Sequence, residues 1–252
     1  MPLFSILIAD DDGGDLSDLV TQNIQSFKAA HPGEGHVLFR EAALIEFISA
    51  HFDAEVLSAF RTLRPYAYKA DLAKYCLLYE QGGVYADLSY AFLRGLPRDK
   101  QRLSVFRDFL SSTPWDTSLG VVAAPRRHRA LVKAIELVCA NVKRQYYGPT
   151  ALCPTGPTLF GKAIAMTCDA EDLIVGEAVW LTLPPSDGAE PSQEPSHCLQ
   201  HGKELVAIKR KKGGGPLSEL GISSGNRYNR LWRSGEVYRE RPPWARIFRR
   251  RI

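Results

Sequence analysis

Short apolar runs and helically spaced apolar residues alternate along this chain. Phe4 to Ala9 is apolar and runs into Asp10-Asp11-Asp12-Gly13-Gly14, which predicts a buried strand ending in a turn. Leu16, Leu19, Val20, Ile24 and Phe27 then recur at helical spacing behind Asp15, a candidate N-cap. Val37 to Phe39 reads as a second short strand. Leu44, Ile45, Ile48 and Phe52 mark another helix, and Val56, Leu57 and Phe60 a further one. The spacing predicts a long helix from Ala67 to Gln81, stopped by Gly82-Gly83, with a strand from Val84 to Ala86 directly after it. Leu119 to Ala123 is a later strand. Leu131, Ile135, Val138 and Val142 set out a helix, and Pro157 to Thr167 another with proline in its first turn. Leu173 to Val175, Ala178 to Leu183 and Leu205 to Ile208 are the late strands, and the proline-rich stretch from Pro184 to Ser196 is a loop. Strand and helix alternate throughout, so the expected class is α/β. No internal repeat or low-complexity linker divides the chain.

Composition narrows the candidates. With 252 residues, 45% of them hydrophobic and 24% charged, the chain has ordinary globular chemistry and enough length for a substantial core. The formal charge of +4 conceals an imbalance, because residues 201–252 hold 14 Lys and Arg against 4 Asp and Glu. The body is therefore acidic and the end basic. No apolar run reaches the roughly 18–20 residues of a membrane-spanning helix. The apolar start, Leu3 to Ala9, lacks a basic flank and reads as a strand rather than a signal peptide. Five scattered cysteines (76, 139, 153, 168 and 198) form no CxxC pair, which suggests a reducing, cytoplasmic setting.

The chemistry concentrates in residues 69–89. Leu72, Ala73, Cys76 and Leu77 form one apolar face of the long helix, and Asp71, Lys74, Tyr75 and Leu78 line another. A helix apolar on two faces is largely buried, so its acid and base need partners or a ligand. The alternative is an Asp71–Lys74 pair at the surface. After the glycines, period two sets Tyr85, Asp87 and Ser89 on one side of the strand. Asp87 and Ser89 then offer two oxygen ligands at a strand's carboxyl end, where open α/β sheets bind their ligands. A divalent ion bridging a diphosphate would use such hard ligands.

Ala70-Asp71-Leu72-Ala73-Lys74-Tyr75, Leu78-Tyr79 and Gly82-Gly83-Val84-Tyr85-Ala86-Asp87 together resemble the DXD-type sugar-binding region of the family 32 glycosyltransferases. The large clostridial glucosylating toxins share a related core. Asn23 to Pro65 fits the family's lead-in, Thr155-Gly156-Pro157-Thr158 its Gly-Pro segment, and Gly225 to Trp232 the ending of some bacterial members. The resemblance implies a GT-A-like, three-layer fold with a mixed, mainly parallel sheet, a UDP- or GDP-linked sugar donor, a divalent ion (Mn²⁺ or Mg²⁺) and retention of anomeric configuration. It implies catalytic roles for Asp71, Lys74 and Asp87, with Asp71 at donor-sugar hydroxyls and Lys74 where the family generally has Arg. Tyr75, Gly83, Tyr85, Asp87 and Ser89 are the donor-binding candidates. Asp87 matches the first acid of the motif. Ser89 stands where the second, metal-ligating acid is expected, leaving one fewer negative charge.

Other features are weighed beside these. His197 and His201 could complete the metal shell opposite Asp87, or with Cys198 form a separate site. Asp10-Asp11-Asp12 reads either as a solvated turn or as a group facing the nucleotide. Gly221-Ile-Ser-Ser-Gly225 matches a hydrolase nucleophile pattern, but no histidine follows His201 to complete it. The basic end, with Lys209 to Lys212 and Arg246 to Arg251 around Trp232, Trp244 and Phe248, suits an anionic membrane surface or an acidic acceptor. No fold motif supports nucleic acid as the partner. The expected organisation is a transferase domain over 1–215 and a basic extension over 216–252. The expected function is transfer of a hexose to a glycan or lipid-linked glycan in polysaccharide or lipopolysaccharide synthesis, on the cytoplasmic side of the inner membrane. A catalytically weak homologue that only binds sugar nucleotide or glycan is the alternative.

Overall fold

A computed structural model describes residues 1–10, 14–108, 113–183, 194–210, 217–222 and 226–239. Asp11, Asp12, the centre of the proline-rich loop, residues 223–225 of the hydrolase-like pattern, Lys211, Lys212 and the final basic segment from residue 240 lie outside the described residues. In chain order the elements are β1 (Leu3–Leu7), α1 (Asp18–Ala29), β2 (His36–Arg40), α2 (Glu41–His51), α3 (Ala54–Thr62), α4 (Tyr66–Gln81), β3 (Gly83–Ala86), β4 (Tyr90–Phe92), β5 (Leu103–Asp108), β6 (Val121–Ala124), α5 (Arg129–Arg144), α6 (Pro157–Thr167), β7 (Leu173–Leu181), β8 (Ser196–His201), β9 (Glu204–Lys209) and α7 (Tyr228–Arg233).

The strands form one mixed sheet in the order β2-β1-β3-β6-β5-β7-β8-β9-β4. The α/β class holds, but the sheet is not mainly parallel. Only β1–β2, β1–β3 and β5–β7 pair parallel, and the other five pairings are antiparallel. A parallel neighbour needs a long crossover, which the helices supply in the first half of the chain. Later the connections shorten, and β8 returns as β9 after Gly202 and Lys203, with Gly202 at φ +60°. The two late strands read around Leu173 and Leu183 are one continuous β7. Ser196–His201, where a metal motif was considered, is a strand. The first helix is capped by Ser17, whose hydroxyl accepts from Val20 N at 3.3 Å, and not by Asp15.

Side-chain alternation gives the sheet two apolar faces. Phe4, Ile6, Tyr85, Val122, Leu103 and Val105 point to one side and pack under α2 to α6. Leu3, Val84, Ala86, Val121, Ala123 and Phe106 point to the other, against Phe27 of α1 and Phe92 of β4. The Phe27 and Phe92 rings stack with centroids 4.7 Å apart, joining that helix to the sheet's far edge. At the centre of the helical layer lies α4, eleven of whose sixteen residues are buried. This settles the choice left open by its sequence, because Asp71 and Lys74 are inside rather than at the surface.

The exit from α4 dictates its glycines. Gly82 caps the helix at φ +63°, and Gly83 follows at φ +117°. A Cβ on Gly83 would stand 2.4 Å from the carbonyl oxygen of Pro2. Gly83 therefore lets β3 enter the sheet beside β1, a structural reason for glycine at this position. Near the other end of the chain, Asn226 accepts from Tyr66 N and donates to Arg64 O, both at 3.0 Å. Trp232 Nε1 donates to Tyr147 O at 2.9 Å, and Leu63 and Tyr238 form an isolated antiparallel bridge. Residues 226–239 thus lie against the start of α4 and the loop after α5. Among the described residues no helix is long and apolar enough to cross a membrane.

Candidate active site

Strand β3 stops at Ala86, and the next three residues turn. Asp87 N donates to Gly120 O at 2.7 Å, and Tyr90 N donates back to Asp87 O at 3.2 Å. Beyond the turn, Tyr90 pairs with Lys209 of β9, and Arg210 N donates to Ser89 O at 2.7 Å. The alternation expected through Ser89 therefore does not apply. The Asp87 side chain is 35% exposed. Ser89 is buried.

Behind Asp87 sits a buried charged cluster that joins α4 to the sheet. Lys74 Nζ lies 3.3 Å from Asp71 Oδ1, 3.2 Å from Asp87 Oδ1 and 3.3 Å from the Leu119 carbonyl oxygen. An ammonium has three N–H donors, and these three acceptors occupy them. Tyr85, one residue before the strand's end, donates its hydroxyl to the same Asp87 oxygen at 2.7 Å and lays its ring 4.8 Å from the ammonium. The other oxygen of Asp71 accepts from Thr155 Oγ1 at 2.9 Å. Burial disfavours the Lys74 ammonium, but Asp87 and Asp71 together outweigh it and raise its pKa above the ordinary lysine value. Burial pushes the Asp71 carboxyl above the usual carboxylate range, against the pull of Lys74 and Thr155. Burial, aided by Asp87, holds the Tyr85 hydroxyl far above its usual range, so it remains a proton donor.

These contacts redistribute the expected roles. Asp71, Lys74, Tyr85 and Asp87 come together as one unit. With all three protons committed within the chain, Lys74 ties the two carboxylates together. Tyr75 is fully buried, packs at a tilt against Phe160 and donates to the Thr155 carbonyl at 2.8 Å. Its hydroxyl thereby supports the loop that carries Thr155. His197 lies edge-on to Trp180 with ring centroids 5.4 Å apart, and 6.4 Å from Tyr90. Burial, with Lys209 nearby, lowers its pKa to about 4, so the ring is neutral near pH 7. His201 pairs with Glu204 at one end of β8, and His197 with Trp180 near the other.

Among the described residues no three His, Cys, Asp or Glu side chains gather as metal ligands. At the turn, Asp87 is the single carboxylate, one of its oxygens already serves Tyr85 and Lys74, and Ser89 adds only a neutral, buried hydroxyl. The described donor set does not fit the divalent ion that the resemblance implies. Neither histidine repairs it.

Two residues were missed or misplaced in the sequence. Thr155 was noticed only as part of a Gly-Pro segment, with no sign that its hydroxyl reaches 84 positions back to Asp71. Lys209 was assigned to the basic end, yet it closes β9 beside the turn, with Nζ 5.7 Å from the Tyr90 ring. Its spacing did carry a signal, because period two places Lys209 on the same side of the strand as the fully buried Ala207.

Residues 17–110 match the family model described as "Glycosyltransferase sugar-binding region containing DXD motif". That part of the chain is similar to a DXD-type glycosyltransferase region. Asp71, Lys74, Tyr85, Asp87 and Ser89 of this transferase fall inside the matched segment, whereas Thr155 and Lys209 fall outside it. Its fold is similar to that of the ligand-free glycosyltransferase domain from the YGT toxin, with a TM-score of 0.52, 9% identity, and coverage of 69% of this chain and 79% of that one. At that identity the likeness concerns the GT-A-like fold alone. The PaToxG glycosyltransferase aligns with a TM-score of 0.49 and 15% identity, over 66% of this chain and 67% of that one. No curated protein sequence matches significantly.

The Thr155 contact in the transferase gives a pH test. The Asp71 carboxylate is lost as pH falls through its raised pKa, and the Thr155 hydroxyl is one of the groups holding that value down. In Thr155→Val the carboxylate should be lost at higher pH. The acidic limb of donor turnover should therefore move towards neutrality, with the alkaline limb unchanged. A pH profile of kcat/KM that does not move would remove Asp71 from the turnover step.

Proposed function

We propose that the transferase moves a hexose from a UDP- or GDP-linked sugar to a glycan or lipid-linked glycan, with retention. The observation that carries this reading is the Asp71–Lys74–Asp87 cluster, buried behind a half-exposed Asp87 at the carboxyl end of β3. The cluster lies inside the matched segment, and open α/β sheets bind their ligands at the carboxyl ends of strands. Asp87 faces the donor. Asp71, held by Lys74 and Thr155, accepts from a sugar hydroxyl, and Tyr85 keeps the Asp87 carboxylate oriented.

No described side chain is placed to attack the sugar, so retention is read as a front-face displacement. The bond from the anomeric carbon to the diphosphate oxygen breaks, and the acceptor oxygen bonds on the same face. The acceptor's proton passes to the departing diphosphate. What this chain's residues supply is a fixed field and a fixed sugar orientation.

The acceptor side follows from charge. Residues 201–252 hold 14 basic against 4 acidic residues, a composition suited to an anionic inner-leaflet surface where lipid-linked glycans are assembled. We read 1–215 as the transferase unit and 216–252 as a basic extension, of which residues 226–239 pack on the body. The test is a panel of UDP- and GDP-hexoses with nucleotide release and product anomer followed by NMR. At least one donor should turn over and give the retained anomer. Inversion would remove the front-face step, and the absence of both binding and turnover across the panel would remove the donor assignment.

A further inference from the structure

Lys209 is a cation without an obvious duty. It ends β9 opposite Tyr90, and its neighbour Arg210 clamps Ser89 through the backbone. Its ammonium lies 5.7 Å from the Tyr90 ring and has no ion-pair partner among the described residues. Burial lowers its pKa from the ordinary lysine value, while Asp87, Asp108 and Glu219 raise it and Lys74 lowers it further. Lys209 therefore sits within the field of Asp87 and Lys74, in the wall of the same site. Lys74 has spent its three protons on Asp71, Asp87 and Leu119. Lys209 has not.

We propose that Lys209 binds the diphosphate of the donor and supplies the positive charge that this site otherwise lacks. The charge balance explains why Ser89 and Lys209 belong together. A carboxylate holding a divalent ion contributes one net positive charge to such a site. A neutral serine beside a lysine contributes the same. The chain has the second arrangement, with Ser89 buried in the turn and Lys209 paired with Tyr90, the next residue along. Three uncommitted N–H donors on a flexible stem suit phosphate oxygens as a point charge. Once bound, the anion offsets the cost of burying the ammonium, and in the transition state the ammonium meets the charge growing on the leaving diphosphate.

This inference rests on the nucleotide-sugar reading, and the test keeps the two apart. UDP, GDP and the parent nucleosides are titrated calorimetrically into the full-length protein, in EDTA and in Mn²⁺. The wild type should bind one diphosphate with Kd values within about twofold in the two buffers. Lys209→Met and Lys209→Gln should weaken diphosphate binding about 10- to 100-fold and leave the nucleoside unaffected. Lys209→Arg should restore most of it, with thermal unfolding confirming that each variant is folded. Diphosphate binding that needs Mn²⁺, or that is the same in Lys209→Met as in wild type, overturns the role of Lys209 and leaves the donor reading intact. Failure of the wild type to bind any nucleoside diphosphate in either buffer overturns both. The wild-type comparison decides the metal question without any variant.

Discussion

Asp87→Asn should cut donor turnover by about 100- to 1000-fold while changing folding stability by less than about 1 kcal/mol. The asparagine keeps the size of the side chain and an oxygen that can still accept from the Tyr85 hydroxyl. What it removes is the charge. Asp87 is 35% exposed, so its ion pair with Lys74 is screened and contributes little to stability, and Lys74 keeps Asp71 as a counter-ion. At the donor, the same charge stands at the mouth of the site. Kinetics with the preferred sugar nucleotide and denaturant unfolding of the same preparation separate the two effects. Turnover within threefold of wild type would show that Asp87 is a structural end to β3 and that the donor lies elsewhere.

The legible part of this molecule is the part written in local pattern. The long helix, its diglycine stop and the short strand after it follow from spacing, and α4 runs from Tyr66 to Gln81 within one residue of expectation. Their resemblance carried Asp71, Lys74 and Asp87 to one site, and the structure brings those three together. What spacing did not reveal depends on the sheet's return path. Strand β4 is three residues long, too short to show a period, and its partner Lys209 lies more than a hundred residues away. The turn at Asp87 breaks the alternation that seemed to give Ser89 the same face. Burial of a charged residue in α4 asks for partners or a ligand, and the resemblance alone gives Lys74 a catalytic role. The structure supplies that partner from within the chain, three times over. A sequence records that a buried charge needs satisfying, but long-range topology decides whether protein or substrate satisfies it.

Lys74→Met should fail in the opposite way from Asp87→Asn, losing stability and turnover together. Removing the ammonium leaves the Asp71 carboxylate in the core with only the Thr155 hydroxyl, and breaking a buried pair from one side costs about 3 kcal/mol or more. Asp87 would also lose its anchor to α4, so the two carboxylates would no longer be held relative to one another, and turnover should fall at least about 100-fold. A partner variant separates the two causes. In Lys74→Met combined with Asp71→Asn both buried charges are gone, and most of the lost stability should return because a neutral pair buries at less cost. Turnover should stay low, because the group that orients the sugar is absent. Unfolding midpoints and donor kinetics across the cycle test this directly. If the single variant unfolds within 1 kcal/mol of wild type, the ammonium is not the keystone of the cluster. Should the double variant recover turnover along with stability, Asp71 would be a structural counter-ion alone, and orientation of the sugar would fall to Asp87.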